Sequence, residues 1–169
     1  MKSRGFTLFE LVVVVAIVGV LGVVVLDRMR FYQEAAEKTA MEQTVGIIRS
    51  AMHLQIADRL LDGGPSAVAA LAQANPMDWL AQQPKNYVGV RFAPKTGEIS
   101  GGSWYFDLRD RHLVYVVNLG NRFSPDRLGR KQVRFELRLI EKSTQEQASG
   151  DVKEIQGLVL AEAVPYRWF

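Results

Sequence analysis

RGFTLFELVVVVAIVGVLGVVVL, residues 4–26, is the segment around which the rest of the chain is arranged. The run from Phe6 to Leu26 carries a single charged side chain, Glu10. A helix of that length spans roughly 31 Å, which matches the roughly 30 Å hydrocarbon core of a bilayer. Because hydrocarbon offers the backbone no other hydrogen-bond partner, the run is predicted to cross a membrane as a helix.

The N-terminal flank distinguishes this run from a secretory signal peptide. A signal peptide has a small-residue cleavage site after its apolar region, whereas here the small residue, Gly5, precedes it. Cleavage after Gly5 would leave the apolar run at the N-terminus of the mature chain. Its many Leu, Ile, Val and Phe side chains contribute about −5 to −10 kcal/mol to insertion, so the run tolerates the roughly 3 kcal/mol cost of Glu10.

The sequence Arg-Gly-Phe-Thr-Leu-Phe-Glu at residues 4–10, followed by an unbroken apolar run, resembles the class III leader and N-terminal helix of type IV pilins and of the pseudopilins of type II secretion. The resemblance covers the first thirty residues or so. It implies cleavage between Gly5 and Phe6 by a prepilin peptidase, N-methylation of Phe6, and assembly into a helical filament. It also implies that Glu10 faces the terminal amine of Phe6 in a neighbouring subunit.

The electrostatics of an apolar bundle agree with that role for Glu10. An amine and a carboxylate are each costly there alone and offset one another when paired. The alternative is an interfacial Glu10 whose carboxylate reaches the cytoplasmic headgroups. The family usually has a proline at the position of Asp27, so Gly19 and Gly22 remain as the residues that would let the helix unwind locally in a filament.

The composition limits the function classes. The chain has 169 residues, 48% of them hydrophobic, which leaves room for one modest globular domain behind the anchor. The formal charge is +3, but loss of Lys2 and Arg4 with the leader would lower the basic residues from 21 to 19, against 18 acidic ones. Bulk charge therefore gives no argument for nucleic acid. The lack of cysteine excludes thiol chemistry and the C-terminal disulfide of many pilins.

The charges that flank the apolar run predict a single-pass inner-membrane protein. Lys2 and Arg4 place the N-terminus in the cytoplasm, so the long C-terminal part is expected in the periplasm and later in a periplasmic or surface filament. The predicted organisation is a leader at 1–5, a membrane or filament-core helix at 6–26, an amphipathic half of the same helix at 27–62, and a globular head at 63–169.

The segment from Asp27 to Asp62 is predicted to continue the helix, and Gly63-Gly64-Pro65 is predicted to end it. Residues 66–83 predict one or two short helices, one of them capped by Asn75. Trp79 and Leu80 are expected to pack under the long helix, or Trp79 alternatively against another subunit. Apolar residues recur along one face of the long helix at Met41, Val45, Ile48, Met52, Ile56 and Leu60.

The pattern then changes to that of β-strands. Arg109-Asp110-Arg111 is short enough to join the second and third strands as a hairpin. A long helix, a helical connector and four or five mainly antiparallel strands give an α+β fold, which resembles the pilin plan. The predicted strands are Tyr87–Phe92, Trp104–Leu108, His112–Asn118, Gln132–Lys142 and Ile155 to about Val164.

Catalytic and metal sites are not predicted. The histidines, His53 and His112, belong to no HExxH, GxSxG or P-loop pattern, and they read as ordinary surface or core residues. The major pseudopilin of type II secretion carries a calcium site as a family property. Here the C-terminal acids lack the dense spacing of a calcium loop, so neither a metal nor a cofactor is expected: Asp107, Asp110, Asp126, Asp151 and Glu154.

One polarised loop and one aromatic tail remain. Residues 120–134 contain basic side chains around Phe123, which could hold DNA but more simply touch acidic surfaces of neighbouring subunits. The tail residues Tyr166, Trp168 and Phe169 are expected to pack on the domain edge or on the next subunit. The residues of the loop that would meet an anionic partner are Arg122, Phe123, Arg127, Arg130 and Lys131.

The sequence thus predicts a structural, non-enzymatic subunit of a type IV pilus, with a minor rather than a major role. Its expected partners are other pilin or pseudopilin subunits, the prepilin peptidase and methylase, and an inner-membrane assembly platform. The first alternative is a pseudopilin of a type II secretion system. The second is a membrane-anchored enzyme or DNA-binding module.

Overall fold

The computed structural model describes residues 7–144 and 152–169. Contacts divide the chain after Ala36 into an N-terminal unit, Met1–Ala36, and a second unit, Glu37–Phe169, which we call the head. The fold is α+β and pilin-like, as predicted. Its elements are α1 (Leu8–Leu71), a 3-10 helix (Pro76–Trp79), β1 (Tyr87–Arg91), β2 (Trp104–Asp107), β3 (His112–Val116), β4 (Gln132–Thr144) and β5 (Val152–Glu162).

Helix α1 has one break. Gly64 adopts φ 66° and ψ −162°, and the backbone is helical again from there to Leu71. The predicted end at Gly63-Gly64-Pro65 is therefore a kink and not a terminus. Glycine reaches positive φ without steric cost, and Pro65 fits the first turn of the helical arm that follows because its missing N–H is not needed there.

The buried face of α1 in the head is the predicted one, apart from its last residue. Met41, Val45, Ile48 and Met52 are buried, and Ile56 packs partly buried against the same core. The prediction for Leu60 is wrong, because its side chain is 49% exposed. Beyond Ile56 the arm after the kink takes over the cover of the core with its own buried residues, Val68 and Leu71.

The sheet has the strand order β1-β2-β3-β4-β5. Strands β2 to β5 pair antiparallel, and the hairpin predicted at 109–111 joins β2 to β3. Strand β1 pairs with β2 in parallel, which the sequence did not predict. Parallel neighbours cannot be joined by a tight turn, so the twelve-residue connection between β1 and β2 carries the chain back along the sheet.

The face of the sheet toward α1 forms the core. Alternation in β4 puts Val133 and Phe135 into this core and leaves Arg134 on the other face, as predicted. The 3-10 helix of the connector packs against this core as well. The Asn75 side chain caps this helix by accepting a hydrogen bond from the Met77 amide at 3.2 Å. The remaining buried core residues of the strands are Trp104, Phe106, Leu113, Tyr115, Leu158 and Leu160.

Two neighbouring isoleucines on α1 provide a test of this packing. Ile48 is fully buried, whereas Ile47 is 54% exposed. We expect Ile48→Ala to lower the free energy of unfolding of the head by about 2–5 kcal/mol, because it leaves a cavity. Ile47→Ala should change it by about 0.5 kcal/mol or less. Urea titration of the detergent-solubilised chain, followed by tryptophan fluorescence, measures both, and equal losses would contradict the fold.

Candidate functional site

The N-terminal end of α1 begins with a local cap. The Thr7 hydroxyl accepts a hydrogen bond from the Glu10 amide at 3.2 Å, and the Thr7 carbonyl accepts from the Leu11 amide at 3.1 Å. Glu10 is exposed in this first turn, where a carboxylate is favoured by the helix dipole. The predicted cleavage residues Gly5 and Phe6 lie outside the described residues.

The apolar side chains after Glu10 are exposed within the part of the chain that the structure describes. Each large apolar side chain from Leu8 to Leu26 is at least 39% exposed. Among the described residues, α1 is the one helix whose length and composition would allow it to cross a membrane, with a mean hydropathy of 3.0 over its most apolar window. Such a surface is stable only against lipid or against other apolar helices.

Gly19 and Gly22 are helical in this structure. Apart from the adjacent turns of the helix itself, a Cβ at either position would meet no described atom within 4 Å, so no packing contact among the described residues requires glycine there. Their predicted part in unwinding of the helix therefore stays a prediction. A glycine inside a helix costs roughly 0.5–1 kcal/mol relative to alanine, so both positions are weak points of the helix.

A carboxylate on α1 holds the end of β3 inside the head. Glu37 accepts hydrogen bonds from the Tyr115 hydroxyl at 3.0 Å and from the amides of Asn118 and Leu119, each at 2.7 Å. These amides lie just past the end of β3, where the ladder no longer pairs them. The sequence did not predict this role of Glu37, because its partners lie about eighty residues away and no nearby sequence pattern indicates them.

The Tyr115 hydroxyl stays protonated and remains the hydrogen-bond donor in this contact. Burial raises its pKa well above the ordinary value of a tyrosine, and the nearby Glu37 carboxylate raises the pKa further. The phenol therefore keeps its proton at every physiological pH and donates to Glu37 throughout. Helix and sheet are joined here by a charge-assisted hydrogen bond in addition to apolar packing.

The structure separates the residues of the predicted anionic-partner loop. Phe123 is buried and forms an isolated bridge with Trp168, so its ring is not presented to a base. Arg122, beside it in the chain, accepts the Phe169 amide on its carbonyl at 3.4 Å. Arg127 is exposed farther along the loop, and Arg130 and Lys131 lie at the loop end that enters β4.

Arg130 forms an ion pair within the loop. Its Nε lies 2.9 Å from Asp126 Oδ2, and Asp126 also accepts hydrogen bonds from the amides of Leu128 and Arg130. Burial alone would raise the pKa of Asp126, but the hydrogen bonds from Arg130 and Leu128 outweigh it and hold that pKa below its ordinary value. The ion pair thus fixes the loop, and the positive charge of Arg130 is partly offset.

The aromatic tail packs on the edge of the domain, which is one of the two placements predicted for it. Trp168 is buried, with its ring edge to face with Phe123, and the Tyr166 ring stacks on Phe123 as well. Lys38 on α1 donates to the Trp168 carbonyl at 3.3 Å and lies 5.4 Å from the centre of the Phe169 ring. The tail is therefore part of the folded head.

No group of three or more His, Cys, Asp and Glu side chains that could hold a metal occurs among the residues that the structure describes. His53 is exposed on α1. His112 Nε2 lies 3.6 Å from a Glu136 carboxylate oxygen, on the outer face of the sheet. Asp151 and the side chain of Glu154, two of the acids considered for calcium, lie outside what is described.

Comparison with known families identifies the N-terminal segment. A family model described as the prokaryotic N-terminal methylation motif matches residues 1–26. The chain carries a prepilin-type N-terminus. The match supports a subunit of the type IV pilin and pseudopilin kind, a family of structural proteins, and it does not separate pilins from pseudopilins. Comparison with curated proteins and with solved structures gave no match.

The contact of Glu37 can be tested against a nearby carboxylate. Glu37→Ala should lower the free energy of unfolding of this prepilin-type chain by roughly 2–4 kcal/mol, because it leaves two amides and a hydroxyl without their acceptor. Glu42 is half exposed and has a 3.9 Å ion pair with Lys38, so Glu42→Ala should cost about 1 kcal/mol or less. Urea titration would contradict the role of Glu37 if both variants lost the same stability.

Proposed function

We propose that the chain is a minor pilin, a prepilin-type subunit that is cleaved after Gly5, N-methylated at Phe6, and incorporated into a type IV pilus filament or used to prime it. The observation that carries this proposal is the methylation motif joined to an apolar helical segment whose side chains are exposed within the described residues. Asp27 in place of the usual proline and the lack of cysteine support a minor rather than a major subunit.

The proposed organisation follows from this function. Residues 1–5 are the leader, 6–26 the membrane and then filament-core helix, 27–62 its amphipathic half, and 63–169 the periplasmic head. Lys2 and Arg4 hold the N-terminus in the cytoplasm until cleavage. Prepilin peptidase and an inner-membrane assembly platform act on this precursor, and other pilin subunits then replace lipid around the helix. The role is structural, and no catalytic step is assigned to the head.

Glu10 sets the register of each new subunit in this mechanism. Within residues 7–144 and 152–169 the Glu10 carboxylate has no hydrogen-bond or ion-pair partner, since its one recorded bond is made by its amide. A carboxylate in an apolar bundle needs an opposite charge nearby. The methylated amine of Phe6 in a neighbouring subunit supplies that charge at one axial offset, so a misplaced subunit leaves both charges unpaired.

Mass spectrometry of the native protein tests the processing. We expect a mature chain that begins at Phe6 and carries one added methyl group on its amine. A Gly5→Val variant should stay at the precursor mass, because a side chain at that position blocks entry to the peptidase site. A wild-type chain that still began at Met1 in cells that process their other prepilins would overturn the proposal.

Substitution of Glu10 tests the register. Glu10→Ala and Glu10→Gln should be processed normally but incorporated at a level lower by about tenfold or more, because an unpaired amine in the filament core costs several kcal/mol. Glu10→Asp keeps the charge and should retain more incorporation than Glu10→Gln. Quantitative blotting of sheared filaments gives the levels, and normal incorporation of Glu10→Gln would refute the pairing.

The location of the filament separates the pilus from the alternative. A pseudopilin of type II secretion shares the N-terminal motif and differs in its partners. Immunogold labelling of intact cells should find the protein in surface filaments, with loss of these filaments when the chain is deleted. Labelling confined to the periplasm, together with loss of an exported protein from the medium, would assign it to type II secretion instead.

A further inference from the structure

The loop between β3 and β4 presents an exposed tip at residues 127–129. Leu128 is 74% exposed, and Arg127 beside it is exposed as well. The tip is a tight turn, because the Gly129 amide donates to the Asp126 carbonyl at 2.9 Å and Gly129 takes a positive φ of 74°. The Asp126 carboxylate also accepts the Leu128 amide at 2.9 Å. A fixed turn therefore holds a large apolar side chain in solvent next to a cation.

The C-terminal tail adds a second cation beside this tip. Arg167 is exposed and lines one cavity with Asp126 and Arg130, which flank the tip. Neither Arg127 nor Arg167 has an ion pair within 4.0 Å in the part of the chain that the structure describes. Phe169, the last residue of the tail, is 42% exposed. Loop and tail thus join basic and apolar side chains in one surface, which we call the basic end: Arg127, Leu128, Arg167 and Phe169.

The basic end belongs to the part of the head where α1 enters it. Strand β3 ends beside Glu37, the first residue of the head, because the Glu37 carboxylate accepts the amides of Asn118 and Leu119. The loop to β4 starts from there. Lys38, the next residue of α1, donates to the Trp168 carbonyl in the tail at 3.3 Å. Loop and tail are therefore both anchored at the start of the head.

The chain itself keeps this part of the head close to a lipid surface. Glu37 is eleven residues past Leu26, the end of the apolar run, and a segment of that length reaches at most about 40 Å. Contact with this surface is intramolecular, so weak contacts suffice at the high effective concentration that the tether provides. Basic side chains beside an exposed apolar residue are typical of segments that bind the headgroup region. The tether favours lipid over a free anion as the partner.

We propose that the basic end binds the surface of the membrane in which the chain is anchored. Arg127 and Arg167 contact anionic phospholipid headgroups, and Leu128 enters the interfacial layer. A nucleic acid strand fits this surface less well, because the aromatic ring of the loop, Phe123, is buried and cannot stack on a base. That this membrane is an inner membrane rests on the proposed function, whereas the tether to the apolar run does not.

Fluorescence quenching in lipid nanodiscs tests the contact with the full chain. The chain has no cysteine, so Leu128→Cys gives a single site for a bimane label. A lipid with a nitroxide near its headgroup should quench this label at least about twofold more in nanodiscs that contain phosphatidylglycerol than in phosphatidylcholine alone. Added salt should remove the difference, since it screens the charges. The control label, at Leu61→Cys, replaces an 87% exposed leucine twenty-four residues past Glu37 and should be quenched little in either lipid.

Substitution of the two arginines tests their part in the contact. In the labelled Leu128→Cys chain, Arg127→Gln with Arg167→Gln should lower the ratio of docked to undocked heads by about tenfold, because two headgroup contacts are lost. The matched control, Arg59→Gln with Lys85→Gln, removes the same charge from exposed positions outside the basic end and should change the ratio by less than about twofold. Charge-retaining Arg127→Lys with Arg167→Lys should stay within about twofold of the unsubstituted chain.

Equal quenching at the two labelled positions would overturn the proposal, because it would show that the whole head meets lipid. Equal losses in the two Gln variants would also overturn it, since they would show a general charge effect. So would binding of a single-stranded oligonucleotide that needs the same arginines in a chain whose label lipid does not quench. The measurement uses the unprocessed chain without other subunits, so its failure leaves the cleavage and register tests of the proposed function untouched.

Discussion

The constraint on which the rest of the structure depends is the bare apolar surface of residues 8–26. In the head, the apolar face of α1 is covered by the sheet, whereas the large apolar side chains of the N-terminal segment are exposed within the described residues. Each Val, Leu or Ile side chain left in water forgoes roughly 1.5–3 kcal/mol of burial. The segment must therefore always be surrounded by lipid or by other subunits. In the proposed function, assembly exchanges one apolar environment for another, which needs no large hydrophobic gain.

Two glutamates on α1 differ in how their carboxylates are stabilised. Glu37 is satisfied within its own chain, by two amides and a phenol that keep its carboxylate in place. Glu10 has no such donors among the described residues and lies in the segment where an unpaired charge costs most. The described residues thus provide three partners for the Glu37 carboxylate and none for that of Glu10, which agrees with the proposal that another subunit supplies the partner of Glu10.

Much of the head follows from local pattern. The five strands lie within a few residues of their predicted bounds, because alternation in segments such as Val133–Leu139 reports directly on burial. The parallel pairing of β1 with β2 was not predictable in this way, since pairing depends on how a long connection returns along the sheet. Glu37 was missed for the same reason: its partners, Asn118 and Leu119, are separated from it by most of the head. Leu60 continued the helical period correctly, but period alone does not tell where the covering core ends.

The basic loop shows what charge counting lacks. From the sequence, Phe123 and its neighbouring arginines formed one group, but folding places the ring in the core with Trp168 and pairs Arg130 with Asp126. Charged residues that are paired within the fold must be excluded before the remaining ones are used to infer function. By that criterion Glu10, whose carboxylate has no hydrogen-bond or ion-pair partner among the described residues, is a better guide to function than Arg130, which the fold pairs with Asp126.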